Sequence, residues 1–398
     1  METFNVINPN FVRIFIARVF FSTSHSLLLV ALPLILAAMG SGAQEIGAVM
    51  GAFGLGVLLG RPLVTWLLHH NSRKFVVWIG AVIFAVGPIL YYWYSDATWY
   101  WYFRLFQGFG FSALFTATLT MVIDQAPASR RGQTLGYLGL SHTTVLVVGP
   151  LIAVELLDRF GADVVFLTSC FFSVVGLCLV YFVQEFVHPE SAKAQYGAGR
   201  SLLRMEILMP TLLLFFIAIV HGAIFFFLPL FVKTSLGQNG GIFFTCFGLS
   251  SIAMRLFSGR YSDQFGRRPV ALAGLGMLLV GSFLVSQIDS LGILVLAACF
   301  YGGGFGGYMP AMTAFVSDRT TVANRAAVIG LYFSAFDMGN AVSGWVMGTL
   351  AAWYGIPVMF QYAAGTSLLS FLLFAIFLAP RTRKTPPVAP APQIPEGS

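Results

Sequence analysis

Twelve apolar runs constrain this chain more than anything else in it. Each approaches or exceeds the ~20 helical residues needed to cross a hydrocarbon core of about 30 Å. They lie near residues 11–38, 44–69, 75–94, 99–122, 133–157, 164–186, 208–234, 241–262, 269–288, 291–317, 324–353 and 357–379. In lipid every backbone donor and acceptor must be satisfied without water, so a span is a helix or part of a closed barrel. Barrel strands alternate in polarity over about ten residues, and these runs do not. The chain is therefore expected to be an all-α membrane protein with twelve transmembrane helices. Composition agrees: 58% of its 398 residues are hydrophobic and 9% charged, against about 45–50% and about 25% in soluble domains.

The net charge of +7 would point a soluble protein toward nucleic acid, but its placement gives it another meaning. Arg73, Lys74, Arg130, Arg131, Lys193, Arg200, Arg204, Arg267, Arg268, Arg319, Arg325, Arg381, Arg383 and Lys384 all fall on one side of the expected membrane, while the opposite loops carry only Arg159 and Lys233 as basic residues. By the positive-inside rule both termini are cytoplasmic, in a cell inner membrane. The charge sets topology, and the expected partners are the bilayer, protons and a small-molecule substrate, with no nucleic acid. Glu2 opens a polar stretch rather than a basic one, so no cleavable signal is expected. Cys170, Cys178, Cys246 and Cys299 lie inside spans without metal-ligand or disulfide spacing.

The stretch HPESAKAQYGAGRSLLRME divides the spans six and six. Expected boundaries are 1–186 for a first six-helix bundle, 187–207 for a cytoplasmic linker, 208–380 for a second bundle, and 381–398 for a disordered Pro-rich tail. An internal repeat supports the division. Phe53-Gly54-Leu55 matches Phe247-Gly248-Leu249, Arg61 matches Arg255, Arg73-Lys74 matches Arg267-Arg268, Asp124 matches Asp318, Gly136 matches Gly330 and Gly161 matches Gly355, always 194 positions apart. His25 and Pro33 match His221 and Pro229 at a spacing of 196. Two pseudo-symmetric bundles around an axis along the membrane normal leave a substrate site between them near the midplane, exposed to each side in turn. GxxxG spacings at Gly47 and Gly51, Gly56 and Gly60, and Gly303 and Gly307 suit close helix approach.

Three motifs carry a family resemblance. GRYSDQFGRR, with Gly259, Asp263, Gly266, Arg267 and Arg268, joins the second and third helices of the second half; its first-half counterpart, TWLLHHNSRK, has Thr65, His69 and Ser72 in place of Gly259, Asp263 and Gly266. RLFQGFGFSA begins at Arg104, and GPLIAV begins with Gly149 and Pro150 and continues with Ala153 and Val154 where a glycine pair is usual. Over residues 10–380 the chain resembles the major facilitator superfamily, and its motifs resemble those of the drug or metabolite:proton antiporter branches. The resemblance implies that the first and fourth helices of each half line a central cavity, with the second and fifth beside it.

An ionisable residue at membrane depth costs about 2.5–3.5 kcal/mol on insertion scales, so each is a functional candidate by default. His25, His142, His221 and Asp337 fall near mid-span and Arg104 nearer the outer side. Asp337 is the expected proton carrier, with His25, His221 and Arg104 as coupling partners; the alternative is a structural ion pair of Asp337 with Arg104 or Arg255. Gln107, His142 and Asn340 join His25, His221 and Asp337 as substrate-cavity candidates, although Gln107 equally suits a bond between helices. Arg18 is placed to snorkel to the interface, Arg61 and Arg255 to brace the inner gate, and Glu155, beside Asp158, to be a wetted gate residue. A proline eight residues beyond each of His25 and His221 is expected to bend the helix toward the outer mouth.

The reading is a secondary transporter exporting a small organic solute by alternating access in exchange for protons. No cofactor, metal or catalytic residue is expected, the proton gradient supplies the energy, and a monomer suffices. An uptake symporter or uniporter is the alternative, and a transporter-like receptor or membrane enzyme the more distant one; no nucleophile elbow, phosphate-binding loop or metal-helix motif is present. The intramembrane positive charge suits an anionic or zwitterionic metabolite or metallophore, and the apolar walls an amphiphilic drug.

Overall fold

A computed structural model describes residues 8–94, 96–126, 131–185, 204–320 and 324–377. It contains twelve helices: α1 (Pro9–Ala38), α2 (Ala43–His70), α3 (Arg73–Trp93), α4 (Ala97–Gln125), α5 (Arg131–Phe160), α6 (Ala162–Tyr181), α7 (Met205–Leu236), α8 (Gly241–Phe265), α9 (Arg267–Val285), α10 (Leu291–Asp318), α11 (Arg325–Tyr354) and α12 (Ile356–Phe377). Among the described residues eleven are long and apolar enough to cross a membrane. The twelfth, α11, is 30 residues long and carries Asp337 and Asn340.

Local chemistry sets the helix ends. Asn8, Ser72 and Asp96 cap α1, α3 and α4 by accepting from the backbone N–H groups of Phe11, Phe75 and Thr98, satisfying donors that have no partner within the helix. Gly161, Gly266 and Gly355 turn the chain directly from one helix into the next at φ of +81°, +90° and +85°, a conformation in which a Cβ is strained. In the first half Ser72 stands where Gly266 stands in the second, and that turn keeps a φ of −65° with a serine cap.

Six helices pack into each bundle. In the first, α1 packs on α5 and α6, α4 on α2 and α3, and α3 on α6; in the second, α7 packs on α11 and α12, α10 on α8 and α9, and α9 on α12. The second list is the first shifted by six helices. Glycines repeat the scheme: Gly80 of α3 faces Gly110 and Leu114 of α4, and Gly274 of α9 faces Gly304 and Tyr308 of α10. Lipid gives no hydrophobic drive between helices, so association rests on such backbone-level packing.

Two boundaries differ from expectation. α7 begins at Met205, inside the stretch expected as linker, because Met205, Ile207 and Leu208 continue the apolar helix. α6 ends at Tyr181 rather than near 186. Most of the expected linker (187–203), the tail 381–398, and Arg130, Lys193, Arg200, Arg381, Arg383 and Lys384 lie outside the described residues. Pro33 and Pro229 are buried inside α1 and α7, which run unbroken through them as helix.

Candidate functional site

A cavity of about 140 Å³ lies between the halves and brings together His25 of α1, Arg104 of α4, His142 of α5, His221 of α7, and Asp337 and Asn340 of α11. These six polar residues are spread over more than 300 residues of chain, and the fold gathers them because α1, α4, α5, α7 and α11 each contribute to the lining. Aromatic rings separate them. The His25 ring lies 4.7 Å from Phe53, 5.3 Å from Phe111 and 6.2 Å from His142, centroid to centroid. His221 stacks on Phe225 at 4.0 Å and on Phe305 at 5.0 Å. The Nδ1 atoms of both His25 and His221 are buried without a hydrogen-bond partner, and His142 Nδ1 lies 3.3 Å from the Ser22 hydroxyl of α1.

Asp337 is paired, but with neither of the arginines expected. Arg61 of α2 donates from Nε to Asp337 Oδ2 at 2.7 Å, and its Nη2 reaches the same oxygen. The reason is helix packing. α2 and α11 lie against each other so closely that a Cβ on Gly54 would stand 2.9 Å from the Asp337 carbonyl oxygen, which leaves the carboxylate within reach of Arg61 two turns along α2. The ion pair therefore joins the two halves. Arg104 instead donates from Nη1 to Gln107 Oε1 at 3.1 Å and from Nη2 to the Leu28 carbonyl at 3.1 Å. Gln107 is fully buried, accepts from Arg104 and is not among the residues lining the cavity, so it orients the guanidinium instead of facing a solute.

Arg18 does not snorkel. It is buried, with its guanidinium 4.3 Å above the Phe115 ring and Nη1 3.5 Å from the Thr118 hydroxyl, both on α4. Arg255 is half-buried on α8. Serines that no motif marks pin α1 to α6, where the Ser24 hydroxyl lies 2.7 Å from those of both Ser169 and Ser173.

The halves meet at one end of the bundle, the end distal to the first and last described residues. There Gly47, Gly51 and Gly54 of α2 run against Ala341, Gly344 and Gly348 of α11 with backbone touching backbone; a Cβ at Gly47 or Gly344 would collide with the opposite main chain. On the other flank Gly241 and Gly248 of α8 meet Leu151 and Val147 of α5, and the Thr245 hydroxyl donates to the Val147 carbonyl at 2.6 Å. Lys233 of α7 pairs with Asp158 of α5 at 2.5 Å, and Arg159 with Glu155, which is half exposed, at 2.5 Å. Toward the opposite end no such contact is found at Gly259 of α8 or Gly330 of α11, where nothing described lies within 4 Å of an added Cβ. The cavity is thus sealed distally, and the Arg61–Asp337 pair sits where the α2–α11 seam ends.

The motif loops are structural. Arg267 pairs with Asp263 at 2.5 Å and with Asp318 at 3.3 Å; Arg268 lies 5.4 Å above the Phe315 ring. In the first half Arg73 pairs with Asp124, and its backbone N–H donates to Glu185 at 2.6 Å. Gly149 packs against the Ser26 side chain, and Pro150 is buried within α5. Among the described residues no cluster of three or more His, Cys, Asp or Glu is placed to hold a metal ion.

Relatives and solved structures agree with this architecture. The chain is 25% identical over 398 aligned positions to the staphylopine export protein of Staphylococcus aureus, covering 94% of this chain and 97% of that one. It is also 25% identical to a multidrug resistance efflux pump PmrA homolog of Lactococcus lactis, covering 91% and 94%. A crystal structure of the nucleoside transporter NupG (D323A mutant) superposes with a TM-score of 0.78 at 14% identity, covering 92% of this chain and all of that one, and one of a D-xylose-proton symporter with a TM-score of 0.76 at 17% identity, covering 93% and 97%. At such identities the structures speak for the fold alone. The family model described as Major Facilitator Superfamily matches residues 14–243 and 237–397, nearly the whole of both bundles, and the chain belongs to that superfamily of multi-pass membrane transporters.

Proposed function

We propose that this chain exports a small organic solute across the inner membrane in exchange for protons, with Asp337 carrying the proton and both termini in the cytoplasm. The observation that carries the reading is the Arg61–Asp337 pair, which spans the two halves at the rim of the polar cavity. Arg61 holds Asp337 as a carboxylate in this distally closed conformer, and a protonated Asp337 forfeits that pair. The protonation state of one side chain thereby biases how the halves sit, which is what coupling requires. Sealed away from the outside, this conformer would have released its proton inward and would be ready to receive cytoplasmic solute. Relatives named for export and efflux that cover more than nine-tenths of the chain support the direction. Transport, not catalysis, is the activity.

Proteoliposomes test the reading. A panel of organic cations, zwitterions and carboxylates is loaded with and without an imposed pH gradient, while a pH-sensitive dye reports proton movement. The expectation is solute flux opposed by proton flux, with Asp337→Asn abolishing the gradient dependence. Flux indifferent to the gradient would remove the antiport reading.

A further inference from the structure

Among the described residues, one positive charge that lines the cavity has no counter-ion. Arg104 is 1% exposed, lines the cavity, and bonds only neutral partners: the Gln107 side-chain oxygen, the Leu28 carbonyl and, at 3.7 Å, the Met50 sulfur. Its Nε is buried with no partner. The one carboxylate lining the cavity, Asp337, is held by Arg61. A guanidinium out of water is stabilised chiefly by an anion in its donor fork, and a buried charge left unpaired is strongly unfavourable. The halves differ here: the residue 194 positions after Arg104 is Ala298, so helix packing in the repeat does not need the charge.

We infer that Arg104 is the docking point for the carboxylate of the transported solute, which supplies the missing counter-ion and marks the substrate class as organic monocarboxylates with an apolar or aromatic body. The inference rests on the transport reading above and deepens it. Among the residues that line the cavity one charge is uncompensated, which matches one monoanion, whereas a dianionic phosphate would leave an excess negative charge there. The body of the solute would lie against Phe53, Phe111 and Phe225, which wall the same cavity. Arg18 of α1, buried beside Phe115 and Thr118 of α4, adds positive charge to the same half. Since about 140 Å³ is below the ~300 Å³ at which ligand pockets usually begin, a solute of this kind fills the chamber only as the halves adjust around it.

Binding without any gradient tests this separately from transport. The full chain in nanodiscs is titrated with 3-phenylpropanoate, its amide and 3-phenylpropylphosphonate, read by the thermal unfolding midpoint and by tryptophan fluorescence. The acid is expected to bind at least about tenfold more tightly than the amide, the scale of one charge-assisted contact, and more tightly than the phosphonate. Arg104→Gln is expected to erase the acid–amide difference, and Arg104→Lys to retain part of it. The wild-type comparison stands even if a variant fails to fold. Equal binding of acid and amide, no binding by the acid, preference for the phosphonate, or an unchanged preference in folded Arg104→Gln would each overturn the inference. Acid-selective binding with gradient-independent flux would uphold it and overturn the proton-exchange reading instead.

Discussion

Arg73 of α3 pairs with Asp124 of α4, and 194 positions later Arg267 of α9 pairs with Asp318 of α10. The geometry is shared, yet the first pair is largely buried and the second half exposed, where Asp263 also takes Arg267. His69 occupies the place of Asp263 in the first half, so Arg73 relies on Asp124 instead. A similar exchange occurs deeper in the membrane. In the first half Gly149 of α5 makes room for Ser26 of α1; in the second Gly222 of α7 makes room for Ser343 of α11. Small and polar have traded helices while the contact persists. At the cavity His25 and His221 are still matched, but the other polar positions are not: the repeat partners of Arg104, His142 and Gln107 are Ala298, Phe336 and Tyr301, and those of Asp337 and Asn340 are Thr143 and Leu146. Packing is duplicated and charge is divided, with the cavity arginine on one half and, among the described lining residues, the acid on the other, so the charged chamber exists only when the halves meet.

Breaking the ion pair between the halves tests that division most severely. Arg61→Gln strands a buried carboxylate, a loss of about 3–5 kcal/mol, and is expected to move the conformer balance away from distal closure by roughly a hundredfold or more, measured as spin-label distances between the distal ends of α2 and α11. Arg255→Gln, its repeat counterpart, has Thr143 in sequence where Arg61 has Asp337 and is expected to shift the balance far less. Equal shifts would show that the halves are functionally alike. Next in size, Asp124→Asn is expected to lower stability by about 3 kcal/mol and Asp318→Asn by under about 1 kcal/mol, because solvent screens the exposed pair; unfolding in mixed detergent micelles compares them.

Side-chain exchange gives a smaller and more specific effect. Gly149→Ser presses a hydroxymethyl group into Ser26 and is expected to cost about 1–3 kcal/mol by overpacking, and adding Ser26→Gly recreates the arrangement of the second half and recovers most of the loss. A double variant no better than the single one would mean the two contacts are not equivalent. Smallest of all, Gly259→Ala meets open space and is expected to change stability by less than about 0.5 kcal/mol, although Gly259 belongs to the motif loop.

How much could be read from the chain follows the same division. Span length and apolarity locate all twelve helices to within a few residues, since the bilayer imposes one length on every segment, and the 194-residue repeat implies two bundles built alike. Five of the six polar cavity residues stand out by depth in their spans, and Asn340 is among the expected cavity residues. Partners were not legible. Several arginines lay within plausible reach of Asp337, and only the glycine seam of α2 and α11 selects Arg61. Arg18 looked free to reach the interface because its depth does not reveal Phe115, and Gln107 looked free to face a solute because its position does not reveal that Arg104 occupies it.

The glycine seam also bears on the pace of a transport cycle. Surfaces whose side chains interdigitate must release many rotamers together before they separate, because packed interiors are bistable and resist gradual deformation. Along Gly47, Gly51 and Gly344 the contact is mostly main chain against main chain, with the Trp345 ring beside Gly51. The two plates part or slide over a narrow strip, so little of the activation barrier for opening arises at this face, and the Arg61–Asp337 clasp at its edge is the latch on this flank, as Lys233–Asp158 is on the other.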